Sequence, residues 1–269
     1  MAVYTSLSRQ DIESFLAQYD IGALASFEGI AEGISNSNYL INVTPLNDGV
    51  RTPQQVRGKY ILTLFEKRYK LEDLPYFVAL MQWWEARGIH CPEPIKMKNG
   101  RVFSVLKEKP AILTSFLEGE GARKITLEHV AQLGKLAAKM HIVAADFPHT
   151  RANGLSLRGW ERLIDDVAER ADTIDPGLKK LISEEYNYLS EHWPQGLPAG
   201  PIHADLFPDN VFFSKTFGRA PQLSGVIDCY FACNDFWAYD LAICANAWCF
   251  DDRHRFVPER AQALIAAYA

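Results

Sequence analysis

Between Ser8 and Tyr19 the apolar positions Ile12, Phe15, Leu16 and Tyr19 recur at helical spacing, and Ser8 with Asp11 supplies a capping signal at the start. The pattern then turns strand-like over Ala23–Phe27, Tyr39–Val43 and Tyr60–Phe65. A small, polar, turn-rich connection, Glu32 to Asn38, joins the first two runs. The polar segment Pro45–Gly58, with Asn47-Asp48-Gly49, reads as an exposed loop. A helix is predicted from about Leu71 to Arg87, ended by Gly88. Strands are expected at Ile95–Met97 and Val102–Leu106 around the turn signal Asn99-Gly100, with another at Ala111–Phe116.

From Thr126 the periodicity changes. Leu127, Val130, Leu133, Gly134, Ala137, Ala138 and His141 mark a long amphipathic helix, and helical stretches follow at about Leu157–Asp172, Gly177–Trp193, Phe236–Cys249 and Pro258–Tyr268. This order predicts an α+β fold of two lobes. Residues 1–117 form a small N-terminal antiparallel β lobe with a leading helix. Residues 118–269 form a larger, mainly helical C-terminal lobe, with the boundary near Leu117–Gly121. The chain stops inside a helical pattern at Ala269, so a further C-terminal piece is expected.

Composition narrows the function classes. With 269 residues, 48% hydrophobic, 23% charged and a net charge of −5, nucleic acid and anionic membrane are poor candidates as main partners. The first residues carry no apolar export signal, and no run of about 18 apolar residues could span a bilayer, so the protein is expected to be cytoplasmic. The five cysteines, Cys91, Cys229, Cys233, Cys244 and Cys249, match neither zinc-ribbon nor Cys-x-x-Cys spacing and are expected as buried reduced thiols.

The chemistry concentrates in His203-Ala204-Asp205-Leu206-Phe207-Pro208-Asp209-Asn210 and, further on, Val226-Ile227-Asp228. Phosphoryl transfer from a nucleotide needs one carboxylate to orient the attacking hydroxyl and accept its proton. It also needs an amide oxygen and a second carboxylate to hold Mg²⁺ on the phosphates. Val211, Phe212, Phe213 and then Leu223, Val226, Ile227 flank these groups, which predicts catalytic loop, short strand, turn, short strand, metal aspartate. A solvated acidic loop is the bland alternative, and metal-dependent hydrolysis by His203 and Asp205 lacks nearby histidine ligands. His203 is expected to hold the loop, His141 to pack, and Asp240 to act as a cap or loop brace. Asp209 suits a solvated loop acid as well as a metal or substrate contact. Trp83, Trp84, Trp237 and Trp248 are expected in the core.

The short Gly119-bearing connection after Phe116-Leu117, the helix Leu133 to His141 and His203-x-Asp205 together resemble the aminoglycoside phosphotransferase/choline kinase superfamily, whose fold is protein-kinase-like. Within it, Gly29 to Gly33, Tyr60 to Lys67, His203 to Phe213, Tyr230 to Asp235 and Ala247 to Phe250 resemble the homoserine kinases, over essentially the whole chain. The resemblance implies ATP and Mg²⁺ as cofactors and L-homoserine as small-molecule substrate, phosphorylated on its hydroxyl to feed threonine synthesis. It makes Asp205 the catalytic base and Asn210 and Asp228 the Mg²⁺ ligands. Ser35, Asn36, Ser37 and Asn38 fall on the loop over the ATP phosphates, and Leu113, Thr114, Ser115 and Phe116 on the connection that meets the adenine.

Two departures accompany it. Thr63 stands where many relatives have a phosphate-binding cation, with Lys67 and Arg68 the nearest cations. Val78 stands where such a cation would find a glutamate. For a substrate with an ammonium and a carboxylate, Asp235 and Arg123 are the candidates to meet them. Rival expectations keep the chemistry but change the acceptor to choline, ethanolamine, a thiosugar or an aminoglycoside, or keep only nucleotide binding.

Overall fold

The computed structural model describes residues 3–31, 36–44, 58–66, 71–214 and 220–269. Helix α1 (Arg9–Leu16) starts on the expected cap: the Asp11 N–H donates to Ser8 Oγ, and the Ser8 N–H donates to the Asp11 carboxylate. Ile12, Phe15 and Leu16 are buried beneath it. They cover one face of a five-stranded antiparallel sheet made of β1 (Ala23–Ile30), β2 (Asn36–Thr44), β3 (Lys59–Phe65), β4 (Phe103–Leu106) and β5 (Lys109–Ser115), ordered β1-β2-β3-β5-β4.

Strand alternation decides what each face carries. Tyr39, Ile41, Val43, Tyr60, Leu62, Leu64, Ala111 and Leu113 share a core with α1. The opposite face therefore presents Asn36, Asn38, Thr63 and Thr114, beside Phe65 and Ile112, which belong to a second core. Ile95–Met97 is not a strand. Pro92 and Pro94 remove two backbone donors, leaving a single bridge between Pro94 and Thr114 and isolated bonds such as Ile95 N–H to the Leu113 carbonyl at 2.8 Å.

A 3-10 turn at Leu71–Asp73 leads into α2 (Leu74–Glu85), and Gly88, at φ +74°, turns the chain away after it. Beyond β5 come β6 (Glu120–Gly121), α3 (Leu127–Ala144), α4 (Leu157–Val167), α5 (Leu178–His192), β7 (Ala199–Ile202), β8 (Val211–Ser214), β9 (Gln222–Val226), β10 (Cys233–Phe236), α6 (Trp237–Trp248) and α7 (Pro258–Tyr268). The helix expected to reach Asp172 ends at Val167, and a separate 3-10 turn covers Ala171–Thr173. Strands β6, β8 and β9 make one small antiparallel sheet, and β7 pairs with β10 in another. The second core joins the apolar face of α2 to α3, α6, α7 and the β8–β9 hairpin, with Trp84 and Trp248 fully buried in it. All five cysteines are buried free thiols, as expected. Among the described residues no helix is long and apolar enough to cross a membrane.

Gly134 lets α7 lie close on α3: a Cβ there would stand 2.5 Å from the Leu264 carbonyl oxygen. Gly134→Val should therefore push α7 away and lower stability by about 2 kcal/mol, the usual scale of overpacking. Thermal unfolding of the variant against the parent chain measures it.

Candidate active site

The loop after β7 is fixed from below by one buried carboxylate. Asp240, in the first turn of α6, is fully buried. Its Oδ1 accepts the Ala204 N–H at 2.8 Å, and its Oδ2 accepts the His203 N–H at 3.1 Å and His141 Nε2 at 3.1 Å. The Tyr268 hydroxyl stands 2.9 Å from the other ring nitrogen of His141. Burial works against the ionised form of Asp240, but the bond from His141 and the charges of His141 and His203 outweigh it and hold the carboxyl below its ordinary pKa. Ala204 is thereby kept at φ +62°, a left-handed conformation that a non-glycine residue adopts only where its surroundings impose it. Asp240 is the expected brace, and His141 is a packed histidine with both ring nitrogens engaged.

That turn aims Asp205 out of the loop towards Asn210. Asn210 Nδ2 donates to Asp205 Oδ2 at 2.7 Å and to the Asp205 carbonyl at 2.9 Å. The amide nitrogen is thus spent on Asp205, which leaves Asn210 Oδ1 as an acceptor for a cation. The main chain of Asn210 accepts the Ile227 N–H at 2.9 Å, tying the loop to the segment after β9 that carries Asp228. His203 completes the tie: its Nε2 donates to the Ile227 carbonyl at 3.0 Å from a fully buried ring. It holds the loop, as expected, and the surrounding Cys229, Asp240 and Asp205 favour its charged form against the cost of burial.

Asp228 follows at φ +56°, ψ +52°, the second left-handed non-glycine residue of the site. Its Oδ1 is buried with no hydrogen-bond partner, an arrangement that costs free energy unless a ligand occupies it. Burial lifts the Asp205 carboxyl to a pKa of about 6, with Asp228 and Asp209 adding to the lift and His203 and Asn210 opposing it. Burial lifts Asp228 to about 6 as well, against His203. The Asn210 amide oxygen and the Asp228 carboxylate, one of whose oxygens is unpaired, suit a divalent cation. Among the described residues no three acidic, histidine or cysteine side chains cluster as a metal cage.

The strand residues divide by face. Asn36 and Asn38 lie on the face of β2 turned from α1, and Thr63 on β3 donates to Asn38 Oδ1 at 2.7 Å. Ser37 points the other way. It is fully buried and donates to Glu66 at 2.7 Å while accepting the Tyr4 and Thr5 N–H groups, so its hydroxyl is not available to phosphates. Alternation from Tyr39 and Ile41 already places it there. Leu113 is likewise no part of the connection: its side chain lies in the α1 core and its carbonyl accepts Ile95. The Ser115 N–H donates to the Glu93 carbonyl, and Ser115 Oγ accepts the Glu93 N–H. Thr114 is buried on the strand, and the connection proper begins at Phe116, whose ring lies under Lys59 Nζ. Ser35 and Lys67 lie outside the described residues.

Gly121 brings the connection onto the catalytic loop, since a Cβ there would stand 2.5 Å from the Pro208 carbonyl, and the Ala122 N–H donates to that same oxygen. Arg123, just beyond, is exposed. Asp235 lies on β10, where its carboxylate accepts Asn153 Nδ2 at 2.7 Å and the Phe236 N–H at 2.7 Å. Arg151 carries no signal in the sequence, although it touches both Asp73 and the segment after Asp228. Its partners are too far apart in the chain for any local pattern to show them.

A family model described as the phosphotransferase enzyme family matches residues 26–269. Homoserine kinase from Rhodopseudomonas palustris (strain HaA2) is 48% identical over 268 residues, covering 100% of this chain and 77% of that protein. The homoserine kinase of Paramagnetospirillum magneticum is 47% identical over 270 residues, covering 100% of this chain and 79% of its own length. Among solved structures, an amicoumacin kinase complexed with AMP-PNP and Ca²⁺ superposes with a TM-score of 0.70 at 12% identity, covering 97% of this chain and 77% of its own. A spectinomycin phosphotransferase complexed with ADP and spectinomycin gives 0.68 at 15% identity, covering 98% and 80%. These two likenesses establish the α+β, two-lobed kinase-like fold.

In metal-free, nucleotide-free protein, the carboxyl carbons of Asp205 and Asp228 should titrate with midpoints near pH 6 by NMR. Both pKa values are raised, so below that pH the carboxyls are protonated and neither accepts a proton nor holds a cation. Adding Mg²⁺ at pH 6 should displace protons. Midpoints at the ordinary carboxylate value for both groups would contradict the burial argument.

Proposed function

The chain belongs to the phosphotransferase enzyme family and, within it, to the homoserine kinases, and on that premise we propose that Asp205, Asn210 and Asp228 carry its reaction. The reaction is ATP-dependent phosphorylation of the L-homoserine hydroxyl to O-phospho-L-homoserine, a step in threonine biosynthesis. The observation that supports the residue roles best is the Asp205–Asn210 contact at 2.7 Å beside the orphaned oxygen of Asp228.

Asp205 orients the substrate hydroxyl and accepts its proton as the oxygen attacks the γ-phosphorus of ATP, whose bond to the bridging oxygen breaks so that ADP leaves. Near neutral pH its raised pKa leaves it ionised yet basic enough for that task. Asn210 Oδ1 and the Asp228 carboxylate are the groups that would hold Mg²⁺. When bound, the ion offsets negative charge on the phosphates. Asn36, Asn38 and Thr63 offer polar groups for the nucleotide on the face of the sheet turned from α1, and the chain from Thr114 through Phe116 borders the adenine. Asp235 is assigned to the substrate ammonium and Arg123 to its carboxylate.

Asp205→Asn should keep the fold and lower turnover by on the order of 10²–10⁴, the range for loss of a positioned base. A coupled ADP-release assay reads this, and near-normal turnover by the folded variant would reject the role of Asp205. With labelled ATP, the parent chain should label L-homoserine and leave choline unlabelled. Choline labelling without homoserine labelling would move the acceptor assignment to the rival class. Arg123→Ala should raise the KM for homoserine with little change in that for ATP, and an unchanged homoserine KM would remove Arg123 from the site.

A further inference from the structure

Asp73 immediately precedes α2, at the position where an aspartate ordinarily caps a helix, yet its side chain makes no capping bond. Its carboxylate instead meets Arg151 Nη2 at 3.1 Å, 78 positions away in the chain. Arg151 Nη1 donates to the Ala232 carbonyl at 3.2 Å, and its guanidinium lies 4.8 Å over the Phe77 ring of α2. Its main chain is engaged as well: the Arg151 N–H donates to Asn234 Oδ1 at 2.9 Å, and the Asn234 N–H returns to the Arg151 carbonyl. Tyr76 of α2 donates its hydroxyl to that same Asn234 oxygen at 3.0 Å.

The far end of this knot is the turn that leaves Asp228. Cys229–Phe231 form a single 3-10 turn between left-handed Asp228 and Ala232, whose N–H donates back to the Cys229 carbonyl. Tyr230 within the turn meets Phe77 edge-on at 5.8 Å and Phe65, at the end of β3, edge-on at 4.8 Å. Asp228 is thus held upstream by the catalytic loop and downstream by α2 through Arg151. A left-handed aspartate persists only where both flanks are fixed.

We propose that Arg151 is a positioning residue: by joining Asp73 and the Phe77 ring of α2 to the Ala232 carbonyl, it sets where Asp228 stands relative to the nucleotide lobe. This rests on the reading of Asp228 as a Mg²⁺ ligand. The guanidinium is a poor choice for stability alone, because its Nε is buried with no partner. A partly buried ion pair with an unmet donor contributes little net stability and is readily matched by apolar residues of similar volume. The role therefore shows in the metal requirement of the reaction and not chiefly in the melting temperature.

The test measures homoserine-dependent ADP formation against Mg²⁺ concentration for the full chain and for R151M, R151K, D73N and the double variant D73N/R151M. The expected result is a rise of about tenfold in the Mg²⁺ needed for half-activation, the scale on which residues supporting a metal ligand act. The KM for homoserine should stay within about twofold, thermal midpoints should barely move, and R151K should recover part of the loss, since it restores the Asp73 pair but not the two-pronged reach. The effects of D73N and R151M should also be less than additive when combined. An unchanged Mg²⁺ requirement in folded R151M overturns the proposal, and if R151M does not fold, an unchanged requirement in D73N does so. D228N separates the premise: it should abolish Mg²⁺-dependent turnover, and if it does not, the metal reading itself falls whatever the Arg151 variants show.

Discussion

The site depends on a carboxylate that never meets the substrate. Asp240 is buried without solvent and ionised, and it spends both oxygens on the backbone and a histidine beneath the catalytic loop. A buried charge of this kind is tolerable only with several good donors around it, and charge-assisted bonds of this type are among the stronger ones available to a chain. In return it forces Ala204 into the left-handed region and so directs the next side chain, Asp205, out of the loop. Remove the charge and nothing else among the described contacts of His203 and Ala204 replaces those two N–H bonds.

From that anchor the strain passes to Asp228. The Asn210 carbonyl and the His203 ring both take hold of Ile227, one residue before the second left-handed position. Asp205 and Asp228 are then set in a largely dry pocket, where burial raises both pKa values and one oxygen of Asp228 is left unpaired. Such an arrangement opposes folding stability and is retained where it serves chemistry. The apolar interior built by α2, α3, α6 and α7 is what holds it.

Much of this was legible because the reacting groups lie in short, ordered segments of chain. Asp205, Asn210 and Asp228 could be placed on loop and strand from the apolar runs beside them, and the capping pair Ser8 and Asp11 fixed the start of α1. Ser37 departs from the loop position the resemblance implies, because its parity with Tyr39 and Ile41 turns it to the α1 face. Leu113 follows the same rule, and Pro92 and Pro94 announced that no full strand could run at Ile95–Met97. The strands β6, β7 and β10 span two to four residues each and contain glycine or proline or polar pairs, so no alternation could reveal them. Arg151 had no local signature, because its partners come from Asp73 and Ala232 and its function exists only after folding.

Amide hydrogen exchange tests the central claim most directly, that one buried charge fixes the catalytic loop. In the parent chain the His203 and Ala204 amides should be among the best protected of the loop. In Asp240→Asn they should exchange about 10² faster or more, the consequence of losing bonds to a buried charge, and homoserine-dependent ADP formation should fall with them. Undiminished protection of both amides together with retained turnover would contradict the account.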